Sequence, residues 1–178
     1  MIHITFPDGS VKEFGSGATP MDVALSISEG LARNVISASF NEIVVETSTP
    51  LVTDGSLVLY TFNDDEGKKA FWHSSAHVLA ECILEFYPNA KLTIGPAIDN
   101  GFYYDVDLKG SIISEKDFPA IEKKFLELSR GKHEFKMKSV SKADALKMYH
   151  EQENEYKVEL IENLTDGDIT FCDHSNFT

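Results

Sequence analysis

The chain has 178 residues, of which 42% are apolar and 25% charged, with two cysteines and a net charge of −13 at pH 7. This composition is typical of a soluble globular protein with room for one medium or two small domains. No apolar run approaches the roughly 18 residues of a membrane span. A chain this acidic gains no affinity for nucleic acid from its overall charge.

The first 62 residues are predicted to form a compact domain of short strands and one helix. IHITF and VKEF flank a PDGS turn and predict a hairpin, and VISASF, EIVVE and LVLYTF predict further strands. Thr19, Pro20 and Asp22 predict a helix start with a capping box, and Gly30 is predicted to end that helix. One helix across a small mixed sheet buries these apolar faces.

The polar segment NDDEGKK, residues 63–69, is predicted to be a linker or the entry to a helix. It separates the domain 1–62 from a second domain at 70–178. From Ala70 to the stop at YPNA, apolar residues recur at helical spacing. The segment KLTIGPAIDNGFYYDVDL then predicts a strand, a Gly-Pro break, a hairpin turn at Asn100-Gly101 and an aromatic strand.

The rest of the second domain mixes helices and strands. SEKDFPAIEKKFLELSRG predicts a helix capped by Ser114 or Asp117 and ended by Gly131, and Ser141 with Asp144 opens a third helix. The segments HEFKMKSV, YKVELIENL and DITFC are predicted strands. The second domain is therefore predicted to be α+β.

His73 and His77 stand four residues apart in the helical segment FWHSSAHVLAECI. Residues at this spacing share one face of a helix, so both imidazoles are predicted to point at one small volume. Such a pair suits two metal ligands, an acid/base pair near neutral pH, or donors around a bound ester; helix packing alone is the other interpretation. Ser74 stands where a metalloprotease would need Glu, and no nucleophile elbow surrounds Ser74 and Ser75.

Other reactive residue types favour structural roles. Cys82 is predicted to be a buried small hydrophobe. Cys172 and His174 are predicted to be a strand-end cysteine and an exposed histidine, and the two cysteines form no CxxC motif. Tyr103 and Tyr104 are adjacent, so on a strand they would point to opposite faces.

The charge is uneven along the chain. Residues 123–147 carry eight bases and three acids, whereas residues 151–173 carry eight acids and one base, Lys157. We call residues 123–147 the basic belt. Its two interpretations are a solvated face of helix and strand or a contact for a phosphate backbone.

The segment WHSSAHVLAECILEFYPNAKLTIGPAIDNGFYYDVDL strongly resembles the editing domain of the threonyl-tRNA synthetase family. The sequence ITFPDGSVKEF and the segments after it, up to DGSLVLYTF, resemble the small β-grasp TGS domain at the front of the same enzymes. The resemblance covers essentially the whole chain, in the family's order. It implies an α+β fold: a TGS domain at 1–62, a linker at 63–69, and an editing domain of the threonyl/alanyl type at 70–178, truncated at its C-terminal end.

The resemblance also implies site residues. His73 and His77 match the editing histidines, Tyr104 matches the pocket tyrosine, and Lys157 matches the editing lysine. The family's D-x-C-x-x-x-H motif would follow shortly after the last residue of this chain. Cys172 and His174 lack that spacing and are not taken for it.

The implied reaction is hydrolysis of serine esterified to the 3' end of tRNA(Thr). The parent family uses ATP and zinc in a catalytic domain that would lie beyond Thr178, so we expect no cofactor and no metal in this fragment. We expect a cytoplasmic monomer with no membrane partner, although the parent enzyme is a homodimer. Two alternatives stay open: a zinc-binding module in which Cys172 or later residues join His73 and His77, and a noncatalytic module that binds RNA or protein.

Overall fold

The computed structural model describes residues 1–131, 133, 135–165, 167 and 169–174. These residues divide into two compact units, 1–72 and 73–178. The boundary between the units falls within a helix, Asp65–Phe86.

The first unit contains a five-stranded mixed sheet. Its strands are β1 (Ile2–Thr5), β2 (Val11–Phe14), β3 (Val35–Phe40), β4 (Ile43–Val45) and β5 (Gly55–Thr61). The order across the sheet is β2-β1-β5-β3-β4, with β1 and β5 parallel and the other neighbours antiparallel. This confirms the predicted hairpin, the later strands and the mixed sheet. The core is built from buried residues of the strands, the helix and a loop: Ile2, Ile4, Val23, Ala38, Leu51 and Leu57.

Helix α1 (Pro20–Ile27) begins as predicted. Thr19 accepts from the backbone N–H of Asp22, and the Asp22 carboxylate accepts from the backbone N–H of Thr19. The prediction that Gly30 ends this helix is wrong. The chain leaves α1 at Ser28, whose hydroxyl accepts from the N–H of Leu31 and so caps a second short helix, α2 (Glu29–Ala32), that contains Gly30.

Strand β5 passes into helix α3 (Asp65–Phe86) through a close turn. The Asp64 carboxylate accepts from the backbone N–H and the hydroxyl of Thr61. A Cβ atom on Gly67 would collide with the carbonyl oxygen of Thr61, so only glycine fits there. The helix therefore begins five residues before the apolar helical pattern does.

The second unit continues with four two-residue strands: β6 (Lys91–Leu92), β7 (Ala97–Ile98), β8 (Gly101–Phe102) and β9 (Val106–Asp107). β6 pairs with β9, and β7 pairs with β8. The predicted hairpin is present. Its two-residue loop is Asp99-Asn100, one position earlier than predicted, because Gly101 already pairs with Ile98.

Helix α4 (Phe118–Arg130) is followed by β10 (Phe135–Ser139), α5 (Lys142–Glu151), α6 (Glu155–Glu162) and β11 (Thr170–His174). Ser141 caps α5 as predicted. Asp117 stands at the start of α4, but its carboxylate accepts from the backbone N–H and hydroxyl of Ser114 and makes no bond to the helix. Gly131 ends α4 as predicted. β10 and β11 are antiparallel, with Phe135 opposite His174.

The predicted strand at YKVELIENL is wrong: residues 155–162 form helix α6. Apolar and charged residues alternate from Tyr156 to Leu160, which mimics a strand. The core instead receives Val158 and Ile161, three residues apart, which is helical spacing. The buried Asn154 decides the local structure, because its side chain accepts from the N–H of Lys157 and caps the helix.

Two clusters form the apolar interior of the second unit. One joins α3 to α4 and includes Val78, Cys82, Ile83 and Ile121; the other joins α5, α6 and β11. Cys82 is fully buried, and burial raises the pKa of its thiol to about 11. The prediction that Cys82 is a buried small hydrophobe is confirmed.

Candidate functional site

Helix α3 places His73 and His77 side by side. Their Nε2 atoms lie 3.2 Å apart, and the ring centroids are separated by 4.7 Å. A hydrogen bond between two Nε2 atoms needs one proton, so one ring donates and the other accepts. The predicted pairing of the two imidazoles on one helix face is confirmed. Ser74 and Ser75, between them, are half-buried within the helix.

The environment favours the neutral form of both imidazoles. Burial lowers the pKa of His73. For His77, burial is the larger cause, and the positive charges of His73, Lys157 and His174 add to it, which lowers its pKa to about 4. At neutral pH the pair therefore has nitrogen lone pairs able to take up a proton.

Lys157 lies in the first turn of α6, and its charge contributes to the lowered pKa of His77. The predicted lysine is therefore close to the histidine pair. Its side chain is half-buried, and burial lowers its pKa, so its ammonium group is less strongly hydrated than one at an open surface.

Several polar contacts fix the first turn of α6. The Asn154 side-chain amide donates to the carbonyl oxygen of Leu92 over 3.1 Å. The Tyr156 hydroxyl donates to the Asp107 carboxylate over 2.8 Å, and Lys109 donates to Glu155 over 3.0 Å. These bonds join α6 to the β6–β9 pair and so determine where Lys157 lies.

Tyr104 lies near Gly95 and Tyr149. Its ring lies against Gly95, where any Cβ atom would collide with it. Burial is the main cause that raises the pKa of Tyr104 to about 12, and the nearby Tyr149 adds to the effect. Tyr104 is half-buried and Tyr103 is exposed, but the predicted aromatic strand is interrupted here, because β8 ends at Phe102 and β9 begins at Val106. The role of Tyr104 as a pocket residue stays a prediction.

Two residues of this site, Glu81 and His174, were not predicted from the sequence. His174 is 3% exposed, so the prediction of an exposed histidine is wrong. Its Nδ1 lies 2.9 Å from Oε2 of Glu81, and its ring stacks on Phe135 with centroids 4.2 Å apart. The i+4 spacing of His73 and His77 extends to Glu81, and that signal was available in the sequence.

Several lysines of the basic belt form ion pairs or hydrogen bonds with other residues of the chain. Lys124 contacts Glu85 and Glu127, Lys138 contacts Asp173, and Lys142 donates to two backbone carbonyls. Lys123, Arg130 and Lys147 are exposed, and Lys132 lies outside the described residues. The exposed members are the ones that suit a phosphate contact.

The zinc hypothesis needs further ligands beside the histidine pair. Within residues 1–174, apart from 132, 134, 166 and 168, no three histidine, cysteine, aspartate or glutamate side chains are arranged to hold a metal ion. Cys172 is a buried residue inside β11. It does not complete a metal site with His73 and His77.

Comparison with known proteins agrees with this architecture. Residues 2–61 match the TGS domain model. The chain is 67% identical over all 178 residues to a threonine–tRNA ligase of Flavobacterium psychrophilum, of which it covers 27%. It is 64% identical to that of Flavobacterium johnsoniae and 49% to that of Cytophaga hutchinsonii, again over its full length and 27% and 28% of theirs.

The chain matches the N-terminal region of threonine–tRNA ligases. Its first unit carries a TGS domain, and the α+β expectation is confirmed. The chain spans little more than a quarter of the length of these relatives. No helix among the described residues is both long and apolar enough to cross a membrane.

Proposed function

We propose that residues 70–178 belong to an editing domain that hydrolyses serine esterified to tRNA(Thr), in the N-terminal part of a threonine–tRNA ligase. The observation that carries the proposal is the neutral histidine pair, with Nε2 atoms 3.2 Å apart, together with the half-buried Lys157, whose charge acts on His77. The identity of 67% to a threonine–tRNA ligase supports it.

An editing site is needed because a pocket that binds threonine distinguishes it poorly from serine. A pocket that hydrogen-bonds the threonine hydroxyl rejects valine strongly. Serine keeps that hydroxyl and lacks one methyl group, which is worth only about 1–3 kcal/mol of discrimination. Mischarged seryl-tRNA therefore needs a second site that removes it.

The hydrolysis can be assigned to the residues present. A water oxygen attacks the ester carbonyl of the serine, and the bond from the carbonyl carbon to the ribose oxygen breaks. His73 and His77 are suited to accept the proton of the water and return it to the leaving ribose oxygen. The Lys157 ammonium is suited to stabilise the negative charge on the carbonyl oxygen in the tetrahedral intermediate.

Tyr104 would contribute to the shape and polarity of the pocket. Because its pKa is about 12, it is a neutral phenol throughout the physiological range. The 3' end of tRNA would lie against the histidine pair, and the exposed members of the basic belt would contact its phosphates. The longer enzyme would use ATP and zinc in regions outside this chain, and we expect it to be a cytoplasmic homodimer.

The deciding experiment compares hydrolysis of seryl-tRNA(Thr) with that of threonyl-tRNA(Thr). It uses this chain, a version extended through the D-x-C-x-x-x-H motif, and His73→Ala in the extended version. The matched control is His150→Ala, which removes an exposed imidazole on α5. We expect serine-selective hydrolysis by the extended form, lost in His73→Ala and retained in His150→Ala. A folded extended form without hydrolysis would contradict the proposal.

A further inference from the structure

His174 is buried against helix α3. Only 3% of its side chain is exposed, and 15% of the Glu81 side chain is. Its Nδ1 lies 2.9 Å from Oε2 of Glu81; an ionised carboxylate only accepts, so Nδ1 donates. A buried polar pair of this kind costs desolvation free energy, which its mutual attraction offsets only when the geometry is good.

The other contact of His174 leads back to the histidine pair. Its ring stacks on Phe135 at 4.2 Å with an angle of 21° between the planes, in the register that pairs these residues across β10 and β11. The Phe135 ring meets His77 edge to face, with centroids 6.3 Å apart and planes at 79°. One face of Phe135 is thus occupied by His174, and His77 contacts the same ring.

Glu81 and His77 stand four residues apart, so both project from one face of α3. The contacts therefore form a closed circuit. Glu81 on α3 binds His174, His174 stacks on Phe135, and Phe135 contacts His77, which is again on α3. Each ring in this circuit is fixed by a partner on another element. Side chains with such support keep the orientation that a reacting pair requires.

We propose that Glu81 and His174 are positioning residues that, through Phe135, fix the His77 ring in the orientation that brings its Nε2 to His73. This inference rests on the proposed editing function, because it names the support of the same site. The hydrogen bond holds His174 against α3. The His174 ring in turn holds the Phe135 ring in contact with His77. Neither residue is assigned a contact with the substrate.

The test uses NMR spectra of the histidine rings in the 178-residue chain, so it needs no catalytic activity. His174→Asn keeps a donor for Glu81 and removes the stacked ring. His174→Phe keeps a ring on Phe135 and removes the donor. Asp173→Asn is the matched control, because it changes a neighbouring β11 residue whose carboxylate contacts Lys138.

We expect both His174 variants to move the His77 ring signals, and Asp173→Asn to leave them in place. The charged groups that act on the pKa of His77 are His73 on α3, Lys157 on α6 and His174 on β11, and Glu81 on α3 is the partner of His174. His174→Phe removes one of the groups whose charge lowers the pKa of His77 and leaves the Glu81 carboxylate without its donor, so the pKa of His77 should rise. Adding Glu81→Gln should reverse part of that rise.

Two outcomes separate this inference from the proposed function. If both folded His174 variants leave the His77 signals and titration equal to those of Asp173→Asn, the positioning inference is overturned, whatever the hydrolysis assay gives. If the signals move as expected but no seryl-tRNA is hydrolysed by a folded extended chain, the proposed function fails and the support of His77 stands. Should His174→Phe not fold, His174→Asn alone decides the question.

Discussion

Nε2 of His73 lies 3.2 Å from Nε2 of His77, one helical turn along α3. At that distance one Nε2 donates its proton to the other, and protonating the acceptor would turn two N–H donors toward each other. Burial and the charge of Lys157 act in the same direction. The pair is thus arranged to be neutral at pH 7, the state in which it can accept a proton from water.

The first prediction concerns stability against pH. The pKa of His77 falls from 6.5 to about 4 in the folded chain, so the unfolded chain binds the proton first as the pH is lowered. His77 therefore contributes its full stability above about pH 6.5 and loses it between 6.5 and 4. The complete shift corresponds to roughly 3.4 kcal/mol; because the ring is partly exposed, we expect about 2 kcal/mol. Urea unfolding at pH 7.5 and 4.5 measures the difference.

The control for this prediction is His77→Gln, which keeps a polar side chain and cannot be protonated. The drop in unfolding free energy between the two pH values should be smaller in this variant. Aspartates whose pKa is lowered, such as Asp22, lose their contribution below about pH 3.8 and do not overlap this window. Equal drops in both proteins would show that His77 titrates normally.

The second prediction concerns Asn154, whose side chain caps α6 and also donates to the carbonyl of Leu92. Asn154→Ala removes the cap and leaves a buried carbonyl without its donor, so the unfolding free energy should fall by about 2–3 kcal/mol. Asn163→Ala is the control at the other end of the same helix, where the side chain is exposed, and it should cost less than about 0.5 kcal/mol. Chemical denaturation of both variants makes the comparison; similar losses would contradict the assigned role of Asn154.

The same Asn154 shows why part of the fold could be predicted and part could not. Capping residues close in sequence, such as Thr19 with Asp22 and Ser141 with Asp144, were read correctly because their partners are local. Asn154 is held at the start of helix α6 partly by its hydrogen bond to the carbonyl of Leu92, 62 residues away. The alternation of residues 156–160 gave no hint of that contact.

The candidate site, too, could be predicted from the sequence only in part. The spacing of His73 and His77 predicts their common face directly, because helical geometry alone produces it. The partnership of Glu81 with His174 depends on the pairing of β10 with β11, which brings residues 93 positions apart into contact. No local pattern encodes that distance.

The third prediction compares two glycines that both lie in helices. Gly67→Ala places a methyl group against the backbone carbonyl of Thr61, which cannot move without disturbing the end of β5. We expect a loss of about 2–4 kcal/mol, although alanine is the better helix former. Gly30→Ala meets only the Ser28 hydroxyl at 3.9 Å and should leave stability unchanged or slightly raised. Thermal or urea unfolding distinguishes them, and equal tolerance at both positions would show that the β5–α3 turn can relax.

The fourth prediction separates two lysines of the basic belt. Lys142 donates to the carbonyls of Glu162 and Leu164, each over 2.8 Å, at the C-terminal end of α6, so Lys142→Met should lower the unfolding free energy by about 1–2 kcal/mol. Lys147 lies on α5, the helix that also carries Lys142, and its side chain is exposed. Lys147→Met should change the unfolding free energy by less than about 0.5 kcal/mol.

For tRNA binding we expect the opposite: the Lys147 variant should have the larger effect and the Lys142 variant the smaller one. If the exposed face of the basic belt contacts phosphates, Lys147→Met should weaken binding of tRNA(Thr) and reduce the slope of log affinity against log salt by about one. Lys142→Met should leave that slope unchanged, because its ammonium group is bound to α6. Binding isotherms at several salt concentrations measure both slopes. Equal slopes in Lys147→Met and the unchanged chain would assign Lys147 to a solvated surface.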